Sequence, residues 1–188
     1  MIKLRSILFC MFIGDSSVGK SALIQLFRSN GSHFLKNYTM TTSMDVVMKT
    51  VLIPDTGDSV ELFLCDTPGK AMFYDMTEML WDQPGVLCVV FDITNEISFS
   101  NCIKWLQKVK TKTSTPHVPG VLVGNKTDLS ACRTVTKTEA QELAMKHGLE
   151  YFETSVKELE NFEQPFQALA KAFYHMYHER VENFKSLV

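Results

Sequence analysis

The chain has 188 residues, of which 45% are hydrophobic and 21% are charged, and its formal net charge at pH 7 is −2. These values are typical of a globular chain with a full hydrophobic core, and we expect residues 1–188 to form a single domain. The slightly acidic balance argues against a nucleic-acid partner, because binding nucleic acid requires a basic surface.

Cysteine usage and the chain ends predict where the protein resides. Five cysteines are spread along the chain without a C-x-x-C pair, which favours reduced thiols and a cytoplasmic location. No apolar run approaches the ~20 residues that a membrane span requires. The first strand follows almost directly after the N-terminus, and residues 184–188 contain no cysteine. We therefore expect neither a signal peptide nor a direct lipid anchor.

The first predicted strand, residues 7–13, leads into a motif that predicts phosphate binding. The motif has the form G-x-x-x-x-G-K-S, precedes a segment of helical periodicity, and consists of Gly14, Asp15, Ser16, Ser17, Val18, Gly19, Lys20 and Ser21. Between a strand and a helix, such a loop binds phosphate through its backbone N–H groups at the positive end of the helix. We expect Lys20 to contact the outer phosphates and the Ser21 hydroxyl to bind Mg²⁺.

The remaining elements follow one another in an alternating α/β order. After a polar loop come two strands joined by a hairpin turn, and the later strands alternate with helices. The further strands are predicted at 45–53, 59–65, 86–91, 121–124 and 149–153, and further helices at 96–110, 136–147 and 162–181. This order predicts a three-layer α/β fold with a six-stranded, mostly parallel sheet, one antiparallel edge and five helices. Ligands of such sheets bind at the carboxyl ends of the strands, where the phosphate loop lies.

A D-x-x-G motif ends the third predicted strand. It begins with Asp66 and Thr67 and ends with Gly69. We expect the Asp66 carboxylate to hold Mg²⁺ through water, and the Gly69 N–H to donate a hydrogen bond to a γ-phosphate. Thr67 belongs to the same nucleotide-binding turn.

Two further motifs, after the fifth and sixth strands, predict selection of the base. The first is N-K-x-D, with Asn125, Lys126 and Asp128. A carboxylate at Asp128 can accept hydrogen bonds from N1–H and the 2-amino group of guanine, whereas adenine offers an acceptor at N1 and has no such amino group. Sites built in this way discriminate by roughly 10⁴. The second motif, T-S-x-K, supplies three residues that we expect to close over the base: Ser155, Val156 and Lys157.

These four motifs, in this order at strand ends, resemble those of the small GTPases of the Ras superfamily, and the resemblance covers nearly the whole chain. The stretches at 92–99 and 121–126 are similar to the Rab branch. The resemblance implies the small-GTPase form of the P-loop NTPase fold, GTP hydrolysis, and GTP or GDP with Mg²⁺ as cofactors. Lys20 and Gly69 are then part of the catalytic set.

The resemblance also implies that one threonine of the first switch ligates Mg²⁺ and senses the γ-phosphate. The register at residues 38–45 is similar to that of the Rab switch and assigns this role to Thr41. Thr39 and Thr42 are close competitors. The predicted metal ligands are therefore Ser21, Thr41 and Asp66.

One position of the catalytic set departs from the family pattern. Small GTPases usually carry a glutamine directly after the D-x-x-G glycine, where it orients the attacking water; this chain has Lys70. An ammonium group has donors and no acceptor, so Lys70 can offset γ-phosphate charge but cannot order the water. We expect intrinsic hydrolysis at or below the ~10⁻⁴–10⁻³ s⁻¹ of unassisted small GTPases.

A Rab-like core with this lysine and without a lipid site resembles the Rab-like GTPases of the intraflagellar transport B complex, as do the stretches at 55–63 and 152–158. This resemblance implies a heterodimer with the small β-sandwich subunit of that complex. It also implies contacts with other complex B subunits and ciliary cargo adaptors, and residence in the cytoplasm, the cilium or flagellum and its basal body. The implied role is export of cargo such as the BBSome.

Two alternative functions remain open beside a GTP-dependent switch. In one, the chain is a structural subunit in which the nucleotide only stabilises the fold. In the other, it is a vesicle-trafficking Rab, which the absence of a C-terminal cysteine disfavours. The GTP-dependent switch and the structural subunit differ in whether the GTP and GDP forms bind a partner with different affinity.

Overall fold

The fold comes from a computed structural model and is described here for residues 3–4, 9–32, 39–70, 84–113 and 118–186. The strands are β1 (Lys3–Leu4), β2 (Phe9–Ile13), β3 (Asp45–Leu52), β4 (Ser59–Asp66), β5 (Val86–Asp92), β6 (Gly120–Asn125) and β7 (Leu149–Thr154). The helices are α1 (Lys20–Arg28), α2 (Glu96–Lys112), α3 (Lys137–Lys146) and α4 (Gln164–Ser186), with a 3₁₀ helix at Thr127–Cys132.

All of these strands belong to one twisted layer at the centre of the molecule. From one edge to the other, the order is β3, β4, β2, β5, β6 and β7, with the two-residue β1 also paired in parallel with β4. The β3–β4 pair is antiparallel, and the other pairs are parallel. The predicted six-stranded, mostly parallel sheet with one antiparallel edge is therefore confirmed, and β1 is a short addition to it.

Helices cover both faces of the sheet and give the fold its three layers. On one face, α1 and α4 pack through residues such as Phe27 and Phe166, whose ring centroids are 3.7 Å apart. On the other face, α2 and α3 pack through residues such as Trp105 and Ala140. Because both faces are covered, every residue of β5 is buried. The predicted α/β fold class is confirmed.

Local sequence signals account for where the helices begin. The side chain of Asn95 accepts a hydrogen bond from the Ser98 N–H at the start of α2. At the start of α3, Thr136 and Glu139 form a reciprocal capping box. Within the described residues, no helix has the length and hydropathy needed to cross a bilayer. Tyr38, the first residue of the predicted switch register, lies outside the described residues.

Candidate functional site

A cavity of about 400 Å³ opens beside the phosphate loop, in the size range of small-molecule sites. The segments that line it come from α1 and the loop before it, from the loop before β3, and from the turns after β4, β6 and β7. The lining residues are Ser16, Ser17, Gly19, Lys20, Ser21, Ala22, Thr39, Met40, Thr41, Gly69, Asn125, Lys126, Asp128, Leu129, Val156 and Lys157. All four predicted motifs thus contribute to one cavity.

The backbone conformation of the phosphate loop requires glycine at both motif positions. Gly14 has φ 140° and Gly19 has φ 103°, a region that residues with a side chain rarely adopt. A Cβ atom on Gly14 would lie 2.1 Å from the carbonyl oxygen of Val90, and one on Gly19 would lie 2.2 Å from Nδ2 of Asn125. Gly19 is the N-cap of α1 and provides no side-chain cap, which leaves the first N–H groups of the helix to a ligand.

Lys20 is a buried cation at the start of α1, and its residue is only 5% exposed. Its Nζ donates to the carbonyl oxygens of Gly14, at 2.8 Å, and Asp15, at 2.9 Å. Burial lowers the pKa of Lys20 to about 8, against the opposing charges of Asp66 and Asp15. The bonded partners of this ammonium group are neutral carbonyls, so the position suits an incoming anion.

Three oxygen-bearing side chains come together beside the phosphate loop. The hydroxyl oxygens of Ser21 and Thr41 lie 3.0 Å apart. Burial raises the pKa of Asp66, while the Ser21 and Thr41 hydroxyls and the Lys20 charge oppose that rise. The Oδ1 atom of Asp66 is buried and has no hydrogen-bond partner among the residues that the structure describes. Hydroxyl and carboxylate oxygens are the ligands that Mg²⁺ takes in proteins, so these residues fit that ion.

Of the three threonines considered for the switch, Thr41 is the one whose hydroxyl contacts Ser21. Thr39 lines the cavity, and Thr42 is exposed. The local sequence does not distinguish them, because the choice depends on how the loop before β3 folds back onto α1. The assignment of the metal ligand to Thr41 is consistent with this contact and stays a prediction.

The turn after β4 packs directly on the phosphate loop. A Cβ atom on Gly69 would lie 2.2 Å from the backbone nitrogen of Ser16, so only glycine allows this approach. The Thr67 hydroxyl donates to the carbonyl oxygen of Phe12 at 2.6 Å, and this buried side chain positions the turn and does not line the cavity. Lys70 is exposed, and among the described residues it does not line the cavity either.

Asn125 joins three segments of the site. Its Nδ2 donates to the carbonyl oxygen of Val18 at 2.9 Å, and its Oδ1 accepts a hydrogen bond from the Thr154 hydroxyl at 3.1 Å. Val18 itself is a core residue. Because the Asn125 side chain is buried and bonded to both neighbours, it ties the phosphate loop to the ends of β6 and β7.

Asp128 lines the cavity, and two neighbouring side chains of the turn after β7 hold its carboxylate. The Ser155 hydroxyl donates to its Oδ1 at 2.6 Å, and Lys157 Nζ lies 3.7 Å from its Oδ2. Ser155 is fully buried and positions Asp128 without lining the cavity. Lys126 also lines the cavity, and its Nζ lies 2.6 Å from Oδ2 of Asp92.

Some predicted residues lie behind the cavity, and some lining residues were not predicted. The predicted residues outside the lining are Gly14, Asp15, Val18, Asp66, Thr67, Lys70 and Ser155. Gly14, Val18, Thr67 and Ser155 support or space the loops of the site. Asp66 lies near Ser21 and Thr41, Lys70 is exposed, and the Asp15 carboxylate turns towards α2. The unpredicted lining residues are Ala22, Met40 and Leu129. Leu129 directly follows Asp128, and a leucine in this polar loop is the sequence signal that could have identified it; the structure leaves it 41% exposed.

A second network braces the 3₁₀ helix that carries Asp128. Arg133, just after this helix, donates from Nη1 and Nη2 to the two carboxylate oxygens of Glu153, at 2.9 and 3.0 Å. The Tyr151 hydroxyl donates to the same carboxylate at 2.8 Å. Burial opposes ionisation of Glu153, but the hydrogen bonds and charge of Arg133 and the Tyr151 hydroxyl lower its pKa below the usual value.

We expect Glu153→Gln to lower the free energy of unfolding by about 1–3 kcal/mol at pH 7, because it removes the charged acceptor of a bidentate pair. The folded-state pKa of Glu153 lies below its unfolded value, so the ionised carboxylate stabilises the fold above that unfolded value. This contribution is lost as the pH falls through the folded-state pKa. Urea unfolding should therefore show a smaller difference in unfolding free energy between wild type and Glu153→Gln at pH 4 than at pH 7. Glu150→Gln, at an exposed position of the same strand, is the control. An equal loss of unfolding free energy in both variants would mean that the Arg133–Glu153 pair does not stabilise the fold.

Comparisons with known proteins agree with this geometry. The family model described as Ras family matches residues 10–175. The chain is 56% identical over 188 residues to the intraflagellar transport protein 27 homolog of Bos taurus, covering 100% of both chains. It is 38% identical over 177 residues to intraflagellar transport protein 27 of Chlamydomonas reinhardtii, covering 92% of this chain and 87% of that protein.

A more distant relative is a Rab protein. The Ras-related protein Rab-13 of Mesocricetus auratus is 37% identical over 161 residues, covering 86% of this chain and 77% of that protein. The region that matches the Ras family model, residues 10–175, includes all four nucleotide motifs of this chain. The chain therefore belongs to the Ras family of GTPases, in the Rab-like group that includes intraflagellar transport protein 27.

Proposed function

We propose that this chain is a GTP-binding switch with slow intrinsic hydrolysis, and that it acts as a subunit of the intraflagellar transport B complex. One observation supports nucleotide binding above all others: a single cavity is lined by a buried lysine, Lys20, and by an aspartate, Asp128. A cation suits the phosphates, and an acceptor pair suits the N1–H and 2-amino edge of guanine.

The residues of the cavity divide into those that hold phosphate and those that hold the base. The N–H groups of the phosphate loop and Lys20 bind the phosphates, and the Gly69 N–H donates to the γ-phosphate. Asp128 binds the guanine edge, while Asn125 keeps the base loop joined to the phosphate loop. Among the other lining residues, those that enclose the base are Leu129, Lys126, Val156 and Lys157.

Ser21, Thr41 and Asp66 are the residues that would hold Mg²⁺. The orphaned Oδ1 of Asp66 and the close approach of the two hydroxyls support this choice. When bound, Mg²⁺ neutralises charge on the β- and γ-phosphates. Thr41 belongs to the loop before β3, so its contact with the site links that loop to the presence of the γ-phosphate. Loss of the γ-phosphate then releases the loop and changes the surface that a partner contacts.

Slow hydrolysis follows from Lys70, which directly follows Gly69 of the cavity wall. The ammonium group offers no acceptor for a proton of the attacking water. We expect Lys70→Gln to raise the single-turnover rate of GTP hydrolysis by roughly tenfold, because an amide can both accept from and donate to water. The rate is measured at excess Mg²⁺ beside wild type and beside Lys104→Gln, an exposed lysine on α2.

Each outcome of this measurement separates the functional alternatives. A slow wild type and a faster Lys70→Gln variant support a complete site that lacks only its water-orienting group. Equal rates in the two proteins would contradict the role given to Lys70. If neither protein retains GTP, the proposal of a GTP-dependent switch is wrong, and the structural-subunit alternative replaces it.

The proposed cellular role rests on the relatives named for intraflagellar transport. We propose a heterodimer with the small β-sandwich subunit of complex B, further contacts with complex B subunits and ciliary cargo adaptors, and export of cargo such as the BBSome. The corresponding locations are the cytoplasm, the basal body and the cilium or flagellum. A different affinity of the GTP and GDP forms for that partner distinguishes a switch from a structural subunit.

A further inference from the structure

The phosphate loop contains a carboxylate that its proposed function does not use. Asp15 directly follows Gly14, and its side chain turns away from the cavity towards α2. Its Oδ1 accepts a hydrogen bond from Trp105 Nε1 at 2.8 Å, and its Oδ2 accepts one from Asn101 Nδ2 at 2.8 Å. We call these residues, Asp15, Asn101 and Trp105, the Asp15 clamp.

The two donors of the Asp15 clamp are presented by one rigid face of α2. Asn101 and Trp105 are four residues apart, so they lie one above the other on the helix. Trp105 is buried in the core between α2 and the sheet, and Lys108 Nζ lies 5.6 Å from the centre of its ring. The helix is fixed at its start by the Asn95 cap. The donors are therefore preorganised and need not be ordered when a ligand arrives.

A carboxylate in a phosphate-binding loop repels a bound phosphate unless it is held away from the ligand. The same residue offers its carbonyl oxygen to Lys20 at 2.9 Å, so the Asp15 backbone lies close to the predicted phosphate contact. Repulsion between like charges is strong at such short range in a partly buried site. Rotation of a free Asp15 side chain would bring its negative charge nearer to the polyphosphate.

We propose that Asn101 and Trp105 are positioning residues for nucleotide binding, because they hold the Asp15 carboxylate on the α2 side of the phosphate loop. The inference rests on the proposed guanine-nucleotide site. The Asp15 clamp has two consequences for that site. It keeps a negative charge away from the phosphates, and it leaves the Asp15 carbonyl in place beside Lys20. Since GTP carries more charge than GDP, the clamp matters more for GTP.

The test compares nucleotide release in two backgrounds that differ only in the charge of residue 15. Asn101→Leu and Trp105→Phe each remove one donor while keeping most of the side-chain volume. In the wild-type background, we expect each to speed release of a fluorescent GTP analogue about tenfold, with a smaller effect on the GDP analogue. In the Asp15→Asn background, which has the same shape and no charge, neither substitution should change the rate.

Two further readouts distinguish positioning from ordinary packing. The acceleration of release in the Asn101→Leu and Trp105→Phe proteins should be greater for the GTP analogue than for the GDP analogue, because repulsion by the freed carboxylate grows with the charge of the polyphosphate, whereas lost packing would speed both releases equally. Val109→Ala, at a buried position one turn beyond Trp105 on the same helix, is the matched control. It should lower the unfolding midpoint and leave nucleotide release unchanged.

The inference is overturned if Trp105→Phe and Asn101→Leu speed release equally in both backgrounds, since the effect is then packing. Unchanged release in the wild-type background overturns it as well. Repeating the comparison with Asp15→Ala keeps the answer independent of how well Asp15→Asn folds. A wild-type protein that does not retain guanine nucleotide defeats the proposed function itself, whereas normal retention with unaltered release defeats only the role of the Asp15 clamp.

Discussion

Replacing Asp128 with asparagine is expected to lower the affinity for guanine nucleotides by roughly 10⁴, because an amide cannot accept hydrogen bonds from both N1–H and the 2-amino group. The new NH₂ group faces the guanine amino group as a second donor. Xanthine has a carbonyl oxygen at the same place, so the variant should prefer xanthine nucleotides. The Oδ1 acceptor that Ser155 bonds at 2.6 Å survives in asparagine, so the loop is expected to keep its position.

Competition binding with GDP, xanthosine diphosphate and ADP measures this change. Glu158→Gln is the matched control, because the Glu158 carboxylate lies 3.5 Å from the same Lys157 that approaches Asp128. That control should keep the guanine preference of wild type. If Asp128→Asn binds GDP as tightly as wild type does, Asp128 does not read the base.

Replacing Lys20 with methionine is expected to have opposite effects on binding and on stability. Affinity for GTP and GDP should fall by roughly 10²–10³, because the phosphates lose a buried charge partner. The nucleotide-free protein should become more stable, since burial of the ammonium group disfavours its charged form and lowers its pKa to about 8. Methionine is of similar length and carries no charge to desolvate.

Nucleotide titration and urea unfolding of the nucleotide-free protein measure the two effects separately. Lys171→Met, at an exposed position of α4, should change neither. A Lys20→Met protein that is less stable without nucleotide would mean that the hydrogen bonds to Gly14 and Asp15 outweigh the burial of charge. Undiminished nucleotide affinity would remove Lys20 from the proposed site.

Most element boundaries could be predicted from local patterns. The strand predicted at 86–91 is observed as Val86–Asp92, and the helix predicted at 96–110 as Glu96–Lys112. The 3₁₀ helix at Thr127–Cys132 was not predicted. It follows Lys126, which has φ 70°, and nothing in the local periodicity signals such a reversal in a polar loop. Short helices of this kind depend on tertiary contacts more than on propensity.

The site shows the same division between what the sequence alone determines and what tertiary structure decides. The four motifs could be read from the chain because each needs a fixed spacing of a few residues at the end of a strand. The sequence alone thus predicted the fold class and the four segments that meet at the cavity, and the role of Asp128 in reading the base stays a prediction.

Tertiary structure decided where the side chains point. It placed the Thr41 hydroxyl against Ser21, the Ser155 hydroxyl against Asp128, and the Asp15 carboxylate against α2. These partners are tens of residues apart in the chain, and their contacts arise only when the sheet brings strand ends and helices together. Spacing within a motif specifies which groups are available, whereas packing between distant segments determines which of them meet the ligand and which support it.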